Sequence, residues 1–415
     1  MSTAATDVKK SDSPIDGTLI LIPSLPNDVA SLILARVPYS HHARLKSTCK
    51  AWKLLFSSQT LISIRRNHGL TSHLLCIFPQ DPSISSPYFF DPRTMAWCPL
   101  PLMPCSPFVY GLCNFVSVSV DSSLYVLGGS LFDTRSFPID RPSPSSAVFR
   151  FDVVRSEWDS VSPMLGPRGS FACAVVPNLG RIFVAGGGSR HHVFGAAGSR
   201  MNSVEMYDIE KDEWVVMESL PGFRAGCVGF VVGNGEERAF WVMGGYGESR
   251  TVGGVLPVDQ YYKDAVAMEM KNGGAWREVG DMWEDGERMR LGKIVVVDES
   301  DDLQGAAAIF MLDGNHIFRY DMVSNRWHQE SRLPKKVPGS SFGFIALSGE
   351  LHVLHPLSPN DQPESRRSRL SKRAVGTMLL QIYNPSTKTW RSVISKPPIK
   401  DVIDMNTAIM CSIHL

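Results

Sequence analysis

This sequence has almost no net charge: 42 Lys and Arg stand against 41 Asp and Glu over 415 residues. A near-neutral chain exerts no global pull on nucleic acid or an anionic membrane, so neither is expected as a partner. Any recognition by charge must be local. Long hydrophobic runs are missing too, since no window approaches the roughly 18 continuous apolar residues of a membrane-spanning helix. The apolar stretch 18–22 behind Lys9 and Lys10 is cut off by Pro23, too short for the core of a secretory signal. The eight cysteines (Cys49, Cys76, Cys98, Cys105, Cys113, Cys173, Cys227 and Cys411) include no CxxC pair. That excludes a disulfide framework or zinc site and leads us to expect reduced thiols in the cytoplasm or nucleus. Histidines are few, and His316, His328 and His352 stand singly on β-like segments or beside Trp. No convergent metal site, Ser-His-Asp set or carboxylate pair emerges, so neither an enzyme nor a cofactor is expected.

What is present begins with a tail, 1–20, rich in Ser, Thr, Asp and Lys with little to bury. A helical pattern follows. Pro26 suits a first helical turn, Asp28 favours the positive end of its dipole, and Val29, Leu32 and Ile33 repeat at i, i+3, i+4. This helix must stop before Pro38. A second pattern sets Leu45, Cys49, Trp52 and Leu55 or Phe56 on one face, with Arg44, Lys46, Lys50 and Lys53 around it. Two or three short helices over about 40 residues bury too little surface to stand comfortably alone. They should borrow core from a partner or from the domain downstream.

Residues 25–29, Ile33, Leu34, Val37, Pro38, Arg44, Leu45, Lys46, Cys49, Lys50 and Trp52 resemble the F-box in order and spacing. That module docks on the Skp-type adaptor of SCF ubiquitin ligases. The resemblance assigns 21–66 to an F-box and implies adaptor contacts by Leu25, Pro26, Val29, Ile33, Leu34, Val37, Pro38, Leu45, Cys49 and Trp52. Thr48 stands where the family usually has Val, and His42 and Ala43 replace larger aliphatics.

Further along, Trp97, Trp158, Trp214, Trp276, Trp327 and Trp390 recur every 51 to 63 residues. Six residues before them stand Asp91, Asp152, Asp208, Met270, Asp321 and Asn384, and an aromatic precedes each of these except Met270. Upstream lie apolar runs ending in glycine, such as 124–129, 182–187 and 241–245, each preceded by another β-like run. Every unit therefore reads as four short strands, a to d, with turn signals between. Four-stranded units at a period near 50 resemble kelch repeats, down to the double glycines Gly128 and Gly129, Gly186 and Gly187, Gly244 and Gly245. The fifth and sixth units show Asp313-Gly314 and His355-Pro356 instead.

The fold class expected is mainly β: a six-bladed kelch β-propeller over 73–415, preceded by a small all-α F-box. The first unit has candidates for strands b (73–78), c (87–91) and d (95–100) but none for a. The leftover run 405–413 should supply it, closing the ring and removing two unpaired edges.

Strands that run up and down bring the b-to-c loops and the d-to-next-a connections out on one face. The long insertions 130–146, 188–202, 246–263 and 355–377 are all b-to-c loops, and loops of that length are usually functional or disordered. Arg168, Arg224 and Arg290 recur just before strand a, and the long loops add Arg190 and Arg250. These five are candidate contacts to a protein substrate, although the recurring arginines could equally brace adjacent loops. The helices enter at strand b, whose start lies on the opposite face. The basic run Arg366, Arg367, Arg369, Lys372 and Arg373 reads as a solvated loop, with nuclear import or phosphorylation control as the sharper alternative.

Taken together, the two resemblances imply a non-catalytic substrate-recognition subunit of an SCF-type ubiquitin ligase. Its partners would be a Skp-type adaptor, through it a cullin, and a protein target. Some plant proteins of this type are directed at biosynthetic enzymes, which makes such an enzyme one class of target. A ubiquitin-independent kelch scaffold is the alternative.

Overall fold

The computed structural model describes residues 19–79, 85–104, 110–133, 143–188, 200–233, 235–252, 256–270, 274–283, 291–297, 307–336, 342–357, 377–398, 403–405 and 408–415. Four helices come first: α1 (Asn27–Ala35), α2 (His42–Lys46), α3 (Lys50–Phe56) and α4 (Gln59–Asn67), with a 3-10 turn, Tyr39–His41, before α2. The second helical pattern is thus split, because the chain leaves helical geometry at Cys49, whose side chain accepts from Trp52 N–H and starts α3 anew. Ala30, Leu34 and Ala35 of α1 pack with Leu21, Ala51, Leu55, Phe56 and Leu61 in one small core.

The rest is a ring of six four-stranded antiparallel sheets. Blade one joins β1 (His73–Phe78), β2 (Tyr88–Asp91) and β3 (Ala96–Pro99) to β29 (Ile409–His414) as its innermost strand. Blade two is β5 (Val116–Val120), β6 (Ser123–Leu127), β9 (Val148–Asp152) and β10 (Glu157–Val161). Blade three is β11 (Ala172–Val176), β12 (Arg181–Ala185), β13 (Val204–Asp208) and β14 (Glu213–Met217). Blade four is β15 (Val228–Val232), β16 (Ala239–Met243), β19 (Asp264–Glu269) and β20 (Trp276–Asp281). Blade five is β21 (Lys293–Val297), β22 (Ala308–Asp313), β23 (His316–Asp321) and β24 (Arg326–Arg332). Blade six is β25 (Gly343–Leu347), β26 (Glu350–Pro356), β27 (Met378–Asn384) and β28 (Thr389–Ser395). Two insertions expected as loops carry strands of their own. In blade four, β17 (Tyr246–Val252) and β18 (Leu256–Tyr261) form a hairpin; β4 (Tyr110–Cys113), β7 (Ser130–Asp133) and β8 (Ser143–Pro144) form a three-stranded sheet beside blade two.

The recurring residues have local reasons. Each strand-d tryptophan lies directly opposite a strand-c residue: Trp97 faces Phe90, Trp158 Phe151, Trp214 Tyr207, Trp327 Tyr320 and Trp390 Tyr383. In blade four Trp276 faces Met268, because the c-to-d turn is one residue longer there. A fixed count back from tryptophan therefore lands on the wrong residue in that blade alone. The aspartates cap the same turns: Asp152 Oδ1 accepts from the N–H groups of Val154 and Arg155, and Asp91 does the same for Arg93. Five indole N–H groups reach back to the preceding blade, from Trp97 to Ser395, Trp158 to Pro101, Trp214 to Ser162, Trp276 to Glu218 and Trp390 to Ser331.

The helical module sits on the face of the a-to-b and c-to-d turns. Lys46 Nζ donates to the Val154 carbonyl at 2.8 Å, Gln59 to Ser122, and Arg66 pairs with Asp121 at 3.1 Å. Buried His42 fills the seam, its ring 4.6 Å from that of Phe56 and its Nε2 3.1 Å from the Val37 carbonyl. A small cavity there is walled by Tyr39, His42, Arg65, Val153 and Leu415.

Two predictions concern stability. Removing residues 409–415 takes away a six-residue pairing with β1 and the buried Cys411, Ile413 and Leu415. Each large apolar side chain is worth about 1.5 to 3 kcal/mol against a domain stability of about 5 to 15 kcal/mol. The truncated chain should be largely insoluble, and an unchanged yield and melting midpoint would contradict ring closure by β29. The second concerns pH. Burial lowers the pKa of His42 and of His352 from 6.5 to about 4. The folded state therefore prefers the neutral rings, so their contribution is complete above pH 6.5 and is lost as pH falls from 6.5 toward 4. The loss has a slope of up to about 1.4 kcal/mol per pH unit for each group. His42→Leu should flatten the fall of melting temperature over that window.

Candidate partner-binding surfaces

Helix α1 has two faces. Pro26 stands at its N-cap, Asp28 lies in its first turn, and Asn27 Oδ1 accepts from Leu21 N–H. While Ala30, Ser31, Leu34 and Ala35 turn inward, Leu25, Val29 and Ile33 are 38%, 41% and 45% exposed. Val29 and Ile33, four apart on α1, form an exposed apolar stripe, and Leu25, just before the N-cap, adds a third apolar side chain open to solvent. Val29 and Ile33, expected as adaptor contacts, thus lie open to solvent, while Ala30, Leu34 and Ala35 on the other face pack with Ala51, Leu55, Phe56 and Leu61. Of the ten candidate adaptor residues, Leu25, Pro26, Val29, Ile33 and Cys49 lie on the surface. Val37, Pro38, Leu45 and Trp52 are half-buried, and Trp52 Nε1 donates to the Leu21 carbonyl at 2.7 Å. Leu34 is a core residue. Ile20 and Leu54, which helical periodicity did not single out, are also exposed.

On the b-to-c face the arginines separate. Arg168 is fully buried: its Nη1 donates to the Gly186 and Ser203 carbonyls, and its Nη2 pairs with the buried Glu205. Burial lowers its pKa, and Glu205 opposes that shift. Arg224 is 4% exposed; it donates to the Gly244 carbonyl, holds Asp264 through two hydrogen bonds of 2.9 and 3.0 Å, and stacks 4.1 Å from the Tyr262 ring centre. Neither side chain can reach a partner. The expectation that they contact substrate is corrected to a bracing role, and the reason lies in the double glycines. The Arg168 carbonyl accepts from Gly129 N–H of blade two while its side chain holds Gly186 of blade three; Arg224 repeats this between Gly187 and Gly244. A Cβ on Gly128 would lie 2.4 Å from the Arg168 carbonyl oxygen, and one on Gly186 2.3 Å from that of Arg224, so only glycine fits.

Arg250 lies on β17, and its side chain is outside the described part of the structure. Arg190, Arg290, residues 1–18 and the basic run 366–373 also lie outside the described residues. Among the described residues there is no cluster of His, Cys, Asp or Glu that could hold a metal ion, and no helix long and apolar enough to cross a membrane.

The bracing role is testable by stability. Arg168→Ala leaves Glu205 buried without its cation, a change that typically costs about 3 to 5 kcal/mol. Arg224→Ala should cost less, since Asp264 keeps 24% of its side chain in water. Chemical denaturation should rank the two in that order, and a neutral Arg168→Ala would remove the brace.

Comparison with known proteins matches the F-box domain over residues 22–63 and the Kelch motif over 111–165 and 167–221. The chain is 57% identical to the Arabidopsis thaliana F-box/kelch-repeat protein OR23, across 97% of this chain and 93% of that protein. It is 31% identical to F-box/kelch-repeat protein SKIP30 of the same plant, across 51% of this chain and 58% of that one. Fold, helical module and whole-chain likeness agree, and the chain belongs to the F-box/kelch-repeat family.

Proposed function

We propose that the chain is the substrate-recognition subunit of an SCF-type ubiquitin ligase. The helical module would bind a Skp-type adaptor and through it a cullin, and the propeller would hold a protein target for ubiquitination and degradation. The observation that carries this reading is the exposed apolar set Leu25, Val29 and Ile33, left to solvent on a module that already has a core. Exposed apolar surface of that kind marks an interaction site. Its place supports the role. The module contacts the a-to-b and c-to-d turns of blade two, so the b-to-c loops open on the opposite face. A target held there points away from the adaptor, toward a ubiquitin-charged enzyme. In this reading the chain carries no catalytic group of its own and works in the cytoplasm or nucleus.

The experiment is co-purification of the full chain with a Skp adaptor and cullin. Val29→Asp with Ile33→Asp should abolish capture without unfolding the module, because both side chains face water. Leu25→Ala with Pro26→Ala should weaken it at least about tenfold, the loss of some 1.4 kcal/mol or more. If a chain lacking residues 1–66 still recovered cullin, the reading would fail in favour of a ubiquitin-independent scaffold.

A further inference from the structure

Five of the six outer strands of the propeller carry a feature that hinders pairing with another chain. β3 is four residues long and ends in Pro99, and the others bear a charged or polar side chain in mid-strand: Asp159 on β10, Arg277 and Glu278 on β20, His328 on β24 and Arg391 on β28. Such features keep exposed sheet edges from joining a foreign strand. β14 has none: Trp214, Val215, Val216 and Met217 follow Glu213 without a charge or a break. Val215 is 45% and Val216 68% exposed. In its sheet β14 pairs with β13 alone, and among the described residues no backbone group of 213–217 bonds to anything beyond β13.

The edge is held in place before anything binds. Trp214 Nε1 donates to the Ser162 carbonyl at the end of blade two at 2.8 Å, and the Glu218 carbonyl accepts from Trp276 Nε1 of blade four at 2.9 Å. A strand pinned at both ends loses little freedom on pairing, which lowers the cost of adding a neighbour. Charge then selects that neighbour. Glu213 and Glu218 stand exposed at the two ends, roughly 17 Å apart along the strand, and no described residue forms a hydrogen bond or ion pair with either carboxylate. A second copy of the chain is disfavoured: antiparallel pairing centred on Val215 or on Val216 would stand Glu213 of one copy beside Glu218 of the other at both ends. A strand with a cation at each end matches the edge instead, its apolar residues lying against the valines.

We infer that β14 is a docking edge on the outer wall of the propeller. It adds one extended segment of a partner protein, in which two adjacent apolar residues lie between Lys or Arg side chains five positions apart. Strand addition of this kind takes affinity from main-chain hydrogen bonds and selectivity from side chains. The edge belongs to neither the helical module nor the b-to-c loops, so it would serve such a partner whether or not the chain acts in a ligase.

The probe is the peptide Ac-Lys-Thr-Val-Val-Thr-Lys-NH2, added to the full chain with labelled valine methyl groups. It should give saturable shifts at Val215 and Val216 and slow amide exchange along β14. N-methylation of both its valines removes a donor that faces the edge and should abolish binding. Replacing its lysines by Glu should weaken binding at least about threefold, the size of exposed cross-strand charge pairs. Glu213→Lys with Glu218→Lys should reverse that preference, and Val216→Lys should abolish the shift at Val215, each with melting unchanged because these three side chains face water. Equal binding of the N-methylated peptide, equal or tighter binding of the glutamate peptide, or no saturable shift would each overturn the inference. So would a Val216→Lys chain that melts as the wild type does and still binds.

Discussion

The pairing of β29 with β1 is the contact on which the rest of the molecule depends. Six cross-strand pairs join residues more than 300 positions apart, and among the described residues β29 is the strand that completes blade one. The same strand packs against its neighbours in the ring, since Ser119 of blade two donates to the Ser412 carbonyl. Beyond it, Ser72 and Leu415 exchange two backbone hydrogen bonds, and Leu415 walls the cavity beneath His42 and Arg65. Arg65 in turn donates to the Ala35 and Val37 carbonyls, which end α1. The strand that shuts the ring thus also forms part of the seat for the helical module, and the orientation of the exposed stripe follows from it.

Around the ring, two kinds of tie join one blade to the next. At the rim, indole N–H groups reach back to the outer strand of the preceding blade or to the segment just beyond it. Toward the centre, Arg168 and Arg224 accept with their carbonyls from one blade's double glycine and donate with their side chains to the next. Because both ties run between neighbours, each blade is positioned by the one before it. Small departures inside a blade, such as the longer turn before Trp276, are absorbed without disturbing the ring.

Much of this was legible because the signals are local. Tryptophan spacing marks strand d, aspartate marks the turn before it, and the double glycine marks the end of strand b; together they give six blades and the missing inner strand that β29 supplies. The b-to-c polarity followed from strand alternation alone. What could not be read was what a side chain does once it is surrounded. Arg168 and Arg224 recur at equivalent positions whether they meet a partner or a glycine carbonyl, and only Glu205 and Asp264, some 40 residues away in sequence, decide between the two. In the same way Val29 and Ile33 share the helical spacing of Ala30 and Leu34, and the choice of inner face rests on how closely α3 and α4 approach. The hairpin β17–β18 was hidden because its strands sit inside what composition marks as an insertion.

The order of synthesis gives the closing strand a temporal meaning. Strand β1 leaves the ribosome roughly 330 residues before its partner, an interval of about 15 to 65 seconds at ordinary elongation rates. Throughout that interval the helices and the later blades can form while blade one lacks its inner strand and the module lacks part of its floor. A nascent chain therefore displays an open β edge beside the segment bearing Leu25, Val29 and Ile33 until residue 415 is made. Messages cut short between α4 and β29 would yield proteins whose helical head is present but poorly seated, a natural mark for cellular quality control.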